Sequence, residues 1–227
     1  METGYILKRK TWTSKLSLKI NQNGEVIVTG PKLLPKTIID NFVSHHLLWI
    51  KKNQKKISQF PKLIDYQNRE VTIFGLKYNF IITNQANQKQ IVYLQKTQLI
   101  INSLTYIPPD KELIFIKKKL AYFFYQLAFK YLNLRTKELA LKMNLVYQKL
   151  TIKNLKSKWG SCSNKKNLNF NFNLIALEPK VIDYVIIHEL CHLKELNHSK
   201  KFWLLVAKYE PHYQKFKKIL NKSIIAI

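Results

Sequence analysis

Three of the chain's six histidines, His188, His192 and His198, fall within eleven residues, and Glu189 follows the first of them. Positions i and i+4 of a helix place two imidazoles over one point, so His188 and His192 can share a metal ion. Glu189, one residue after the first ligand, can reach a water on that ion without displacing either histidine. Catalytic zinc takes three protein ligands and keeps one position open, which makes His198 the natural third ligand. The pattern predicts a zinc-dependent hydrolase with one Zn2+ and with Glu189 as the general base. Two structural readings compete: histidines that merely cap a helix end, and a closed zinc site with a fourth ligand from Cys191, Cys162, Glu195 or His212.

These residues need a helix, and Pro179 can start one. Its apolar stripe, Val181, Ile182, Val185, Ile186 and Leu190, packs on a core while His188 and His192 share an adjacent face. Asn197 is expected to turn left-handed and bring His198 back. Asp183 reads as a surface acid, with an imidazole partner as the alternative. Tyr184, Tyr209 and Tyr213 are candidate oxyanion donors by proximity.

Upstream, Lys153 to Cys162 and Asn167 to Ile175 flank the polar turn 163–166. Leu168, Phe170, Phe172 and Leu174 alternate with Asn167, Asn169, Asn171 and Asn173 along the second arm. Trp159, Gly160 and Ser161 lie on the arm nearest the motif, where an edge strand can hold an extended substrate through main-chain bonds. The competing reading is structural: Trp159 fills the core, Gly160 permits close packing and Ser161 closes a turn.

Before these lies a long helical stretch, roughly 111–143, opened by Pro108-Pro109-Asp110. Strand-like runs at 71–74, 78–83, 90–94 and 99–102, separated by Gly75, the 84–87 stretch and a turn near Lys96-Thr97, suggest a small meander. Leu16 to Val28 reads as a hairpin turning at Asn23-Gly24. From Pro35 to about Ser58, Ile38, Ile39, Phe42, Val43, Leu47, Leu48 and Ile50 recur at helical spacing and predict one amphipathic helix. His45 and His46 on it read as ordinary surface or boundary residues. The fold class is α+β, divided near residue 105 into an amino-terminal lobe, 1–105, and a helical lobe with a short antiparallel sheet, 106–227.

At 227 residues the chain can bury a real core. Two cysteines make a secreted disulfide framework implausible, and neither a signal-peptide core nor a run of about 18 apolar residues is present, so a soluble, cytoplasmic protein without a membrane partner is expected. The net charge of +26 attracts nucleic acid, anionic membrane or acidic substrates, and a lysine-rich surface can favour a nucleotide's phosphates. Because nearly all of it is lysine, with arginine only at Arg9, Arg69 and Arg135, it favours point-charge contacts over base reading. The abundance of Lys, Asn and Ile is equally compatible with an AT-rich genome.

The segments Lys158-Trp159-Gly160-Ser161-Cys162-Ser163, Asn169-Phe170-Asn171-Phe172, 181–192 and Asn197-His198-Ser199-Lys200-Lys201-Phe202-Trp203 together resemble the YgjP-like metallopeptidase family, also called domain of unknown function 45 and related to SprT-like zinc peptidases. The amino-terminal hairpin and helix, ending near Trp49-Ile50, look like the same family. The resemblance implies a zincin-like lobe with His188, His192 and His198 as ligands, Glu189 as base, and a peptide or protein substrate. The spacing from His188 to His198 also matches metzincins, but Glu195 stands at their glycine position and no methionine follows.

A zinc-bound water activated by Glu189 is the chemistry expected, and a metallopeptidase is the leading activity. The alternatives are a metal-dependent nucleotide pyrophosphohydrolase, a DNA-associated SprT-like protease, and a zinc-stabilised nucleic-acid-binding module. Oligomeric state is not encoded in any of these patterns.

Overall fold

The computed structural model of the chain describes residues 4–20, 24–58, 63–85, 92–155 and 158–223. The chain forms two compact units, Met1–Phe60 with Lys217–Ile227, and Pro61–Phe216.

In the first unit, β1 (Tyr5–Lys10), β2 (Ser17–Ile20) and β3 (Val26–Pro31) form a sheet in the order β1-β3-β2. The expected hairpin is β2 with β3, antiparallel with Ile20 opposite Val26. Asn23 of its turn lies outside the described residues, and Gly24 has φ +82°. Alternation buries Leu18, Ile20, Val26 and Val28 on one face. The single helix expected from Pro35 to Ser58 is two, α1 (Lys36–His45) and α2 (Leu47–Ser58), broken at His46 with φ −103°. His46 Nδ1 bonds the Phe42 carbonyl oxygen, which caps the break. Of the expected apolar stripe, Ile39, Val43 and Ile50 join the core, while Ile38 and Leu48 stay exposed.

The second unit opens with β4 (Ile64–Asp65), β5 (Glu70–Ile73), β6 (Leu76–Asn84), β7 (Val92–Gln95) and β8 (Gln98–Ser103). Their order, β4-β5-β6-β8-β7, is not a simple meander, because β8 slots between β6 and β7 and runs parallel to β6. Composition accounts for this: Leu99, Ile100 and Ile101 are all buried and suit a central strand, whereas β7 has only half-buried and exposed residues.

Phe74 and Gly75, with φ +52° and +82°, make the two-residue turn between β5 and β6. Their N–H groups donate to the carbonyls of Ile175 and Ala176 at 2.7 and 3.1 Å. These bonds tie the sheet to the 3-10 turn Phe172–Ala176, so residues 64–103 group with the later helices.

Next comes α3 (Pro109–Lys142), 34 residues long, with Pro at its first turn alongside Asp110 and Glu112. Its stripe Ile116, Leu120, Phe124, Ala128 and Leu132 is buried, and Asn144 at φ +51° ends it in a left-handed cap. The strands β9 (Lys149–Lys153), β10 (Gly160–Cys162) and β11 (Asn167–Asn171) form a sheet in the order β10-β11-β9. The alternation expected through Ile175 stops at Asn171, where the chain winds into the 3-10 turn. The helices α4 (Pro179–Cys191), α5 (Lys200–Tyr209) and α6 (Tyr213–Ser223) complete the chain. No helix among the described residues is long and apolar enough to cross a membrane.

Candidate metal centre

Helix α4 carries His188 and Glu189, with His192 at its C-cap. It is buried almost all round: the expected stripe Val181, Ile182, Val185, Ile186 and Leu190 is joined by Tyr184, Ile187 and Cys191. The chain leaves the helix through a tight turn. The N–H of Leu193 donates to Leu190 O, and those of Lys194 and Glu195 donate to Cys191 O. Asn197 is absent from the positive-φ residues, so these three bonds, not a left-handed Asn197, return the chain toward the site.

The return brings His198 to His188, with their Nε2 atoms 3.0 Å apart. One ligand atom from each of His188, His192 and His198 lies within 4.8 Å of the others. Two nitrogens on one tetrahedral zinc at about 2.0–2.1 Å stand roughly 3.3 Å apart, so the His188 and His198 pair is already near that spacing and the three imidazoles could share an ion. His192 Nδ1 lies 3.0 Å from the Glu195 carbonyl oxygen. A carbonyl only accepts, so Nδ1 carries the hydrogen and Nε2 keeps its lone pair for a metal. Among the described residues, Cys162, Cys191, Glu195 and His212 do not join the cluster, which leaves the arrangement three-sided. Cys191 is fully buried in α4, and burial pushes its thiol up to about 12.

Beneath the three imidazoles lies Phe202, fully buried, with its ring centroid 4.9, 4.5 and 4.8 Å from those of His188, His192 and His198. Sequence reasoning placed Phe202 in a family segment but assigned it no task. Its signal is the spacing from Ser199, whose hydroxyl accepts the Phe202 N–H and starts α5.

Glu189 is only 6% exposed, and burial raises its carboxyl to about 8, with Lys158 pulling the other way. Gly160 of β10 packs directly on it: a Cβ there would lie 2.8 Å from Glu189 Oε1. Cys162 stands two residues further along β10, its thiol raised to about 11 by burial and then by the Glu189 charge.

The other two edge-strand residues are committed inside the fold. The Trp159 indole is buried and its carbonyl accepts from Asn171 N. Ser161 Oγ accepts from Asn169 Nδ2 at 3.2 Å. Asn171, a buried polar residue that alternation set on the face opposite Leu168 and Phe170, donates through Nδ2 to Leu155 O at 2.7 Å and Lys158 O at 3.1 Å. It thereby ties the Leu155 and Lys158 carbonyls to the end of β11.

Among the described residues β10 is an edge strand, paired only with β11. Trp159 O and Ser163 N both bond β11, so in the antiparallel alternation the N–H and C=O of Gly160 and Cys162 point to the open edge.

Asp183 is engaged by Arg135 in a bidentate fork, Nε to Oδ1 at 2.7 Å and Nη2 to Oδ2 at 2.8 Å, pinning α4 to α3. Of the three tyrosines, Tyr209 OH donates to Met143 O at 3.5 Å. Tyr184 stands edge-on to His188 at 6.0 Å, its hydroxyl raised to about 12 by burial first and by Tyr213 and Glu189 after it. Tyr213 stacks on Trp203 at 5.3 Å.

A family model described as YgjP-like, metallopeptidase domain, matches residues 14–223. No curated protein matches. Two solved structures are similar over part of the chain. One is the metallopeptidase zymogen of Methanocaldococcus jannaschii jannalysin, 28% identical, TM-score 0.36, covering 40% of this chain and 94% of that one. The other is the metallopeptidase zymogen of Pyrococcus abyssi abylysin, 25% identical, TM-score 0.35, covering 39% and 87%.

Proposed function

Because this chain belongs to the YgjP-like metallopeptidase family, we propose that it is a zinc peptidase in which His188, His192 and His198 hold one ion and Glu189 is the general base. The observation that carries the reading is three imidazole donors gathered within 4.8 Å, beside a buried acid on the same helix. A zinc ion held there supplies Lewis acidity, which acidifies water and polarises the carbonyl of the bond to be cut.

The chain's own residues do the rest. Glu189 takes the proton of the attacking water at its carboxylate as the new C–O bond forms, and delivers it to the amine as the C–N bond breaks. Burial favours the protonated acid and a cation on the imidazoles favours the carboxylate, so the group is balanced for moving a proton both ways near neutral pH. His192 is held in the ligating tautomer by Glu195 O.

The open edge of β10 is the substrate rail. An extended peptide pairs there through the main chain of Gly160 and Cys162, with Trp159 and Ser161 holding the strand in place, and so passes the Glu189 carboxyl. Main-chain pairing of this kind supplies affinity whatever the side chains, which suits a peptide or protein substrate.

The test is metal content of the purified wild type and of His188→Ala, followed by peptide and unfolded-protein cleavage with Glu189→Gln as the inactive control. Stoichiometric metal lost in His188→Ala and cleavage lost in Glu189→Gln are expected. Metal that survives His188→Ala overturns the ligand set. Release of pyrophosphate from nucleoside triphosphates without any peptide cleavage overturns the substrate class.

A further inference from the structure

Two of the three histidines ride on α4, but His198 sits on an exposed loop. A loop-borne imidazole has freedom about both side-chain torsions, and a ligand that must be ordered at the moment of binding weakens the site. Something has to hold it in advance.

The sequence around it is the start of a helix. Ser199 is the N-cap of α5, its Oγ accepting from Phe202 N at 3.3 Å, and Trp203 N donates to Ser199 O at 3.2 Å. His198 is therefore the residue before the cap and Trp203 the fourth residue of the helix. In many helices this pair packs together as an apolar staple that sets the angle at which the chain enters. Here the first member of the staple is an imidazole. The His198 and Trp203 rings stack at 5.5 Å with 19° between their planes. The indole continues the stack onto Tyr213 at 5.3 Å and 17°, at the start of α6. Phe202 meets the same imidazole edge-on at 4.8 Å and 86°. The ring is thus held on a face and on a side by groups that cannot themselves ligate a metal.

We propose that Trp203, backed by Tyr213, is a positioning residue that fixes the His198 ring for zinc, so that the start of α5 and the third-ligand position are one device. The proposal rests on the metal-site reading above. It extends it from which residues bind to why a loop histidine binds well.

The experiment compares zinc affinity, by competition with a chromophoric chelator, and the visible spectrum of the cobalt(II)-loaded full chain, in wild type, Trp203→Ala, Trp203→Phe and Val206→Ala. Val206 is fully buried in α5 and carries no ring, so its truncation weakens the packing of the helix without removing a member of the stack. Groups that orient a ligating histidine typically change metal affinity by about 10- to 100-fold, so Trp203→Ala is expected to weaken zinc at least about 10-fold and to alter the cobalt bands. Trp203→Phe keeps a ring in the stack and is expected to recover most of the loss. Val206→Ala lowers the melting temperature and leaves both metal readouts as in wild type.

Wild-type affinity and spectrum in Trp203→Ala overturn the proposal while leaving the metal site standing. Equal loss in Val206→Ala and Trp203→Ala also overturns it, because the effect is then only helix stability. A wild type that binds neither metal overturns the metal-site reading and this proposal together.

Discussion

A Cβ on Gly160 would fall 2.7 Å from Cγ of Glu189 and 2.8 Å from its Oε1, closer than real Cβ atoms approach other heavy atoms. The edge strand and the helix bearing the buried acid are therefore in contact through the absence of a side chain. Gly160 has no positive φ, so clearance and not backbone freedom is what glycine provides here.

Gly160→Ala is expected to displace the Glu189 carboxyl or push β10 outward. Peptide cleavage falls at least about 10-fold, the effect of a misplaced general base, while zinc stoichiometry stays at the wild-type value. Parallel measurements of kcat/KM and bound metal decide it. Full activity in the variant would mean that Glu189 has another position from which to act.

Removing Glu189's charge changes stability in a pH-dependent way. In the metal-free protein its carboxyl titrates near 8 instead of the ordinary 4.5. Between those values the native state keeps a proton that the unfolded chain has released, so native binds more protons and stability falls as pH rises. Glu189→Gln cannot titrate and lacks that slope. Urea unfolding in EDTA is expected to show the variant more stable than wild type at pH 8 by at least about 1 kcal/mol, with the gap narrowing toward pH 5.

Metal should stabilise the fold as well as act in it. A ligand that binds only the native state adds about 4 kcal/mol at a thousandfold excess over its Kd. The melting temperature is expected to rise on zinc addition, to fall back with EDTA, and to stay flat in His188→Ala and His192→Ala. An equal rise in those variants would show zinc acting at the lysine-rich surface or elsewhere.

The Arg135–Asp183 fork anchors the first turns of α4, upstream of the histidines. Arg135→Lys keeps the charge and loses the planar pair of bonds. With Arg135 about a third exposed, screening limits the loss to about 1–2 kcal/mol. Denaturant midpoints check this, and zinc affinity in folded Arg135→Lys is expected to remain close to wild type.

The metal motif was legible because helical geometry is local. Once Pro179 starts a helix, the four-residue spacing of His188 and His192 dictates that both imidazoles lie on one face, and the same periodicity named the buried stripe. The two-residue rule of strands likewise located β2, β3 and β11. Mixed α+β architecture followed from those periods, as did the long helix opened by Pro108-Pro109.

What the sequence left open were relations between segments distant along the chain. No local rule places β8 between β6 and β7, ties Phe74 to Ile175, or pairs Arg135 with Asp183 48 residues away. Alternation set Asn171 on the face opposite Phe170 but carried no information about the Leu155 and Lys158 carbonyls that accept from it. The use of glycine at 160 likewise depends on the side chain that tertiary packing sets against it. Residue types and short spacings determined which atoms could hold a metal and move a proton. Packing of remote elements decided how those atoms are oriented and shielded, because burial and ring contacts are properties of neighbours that the chain brings together only when it folds.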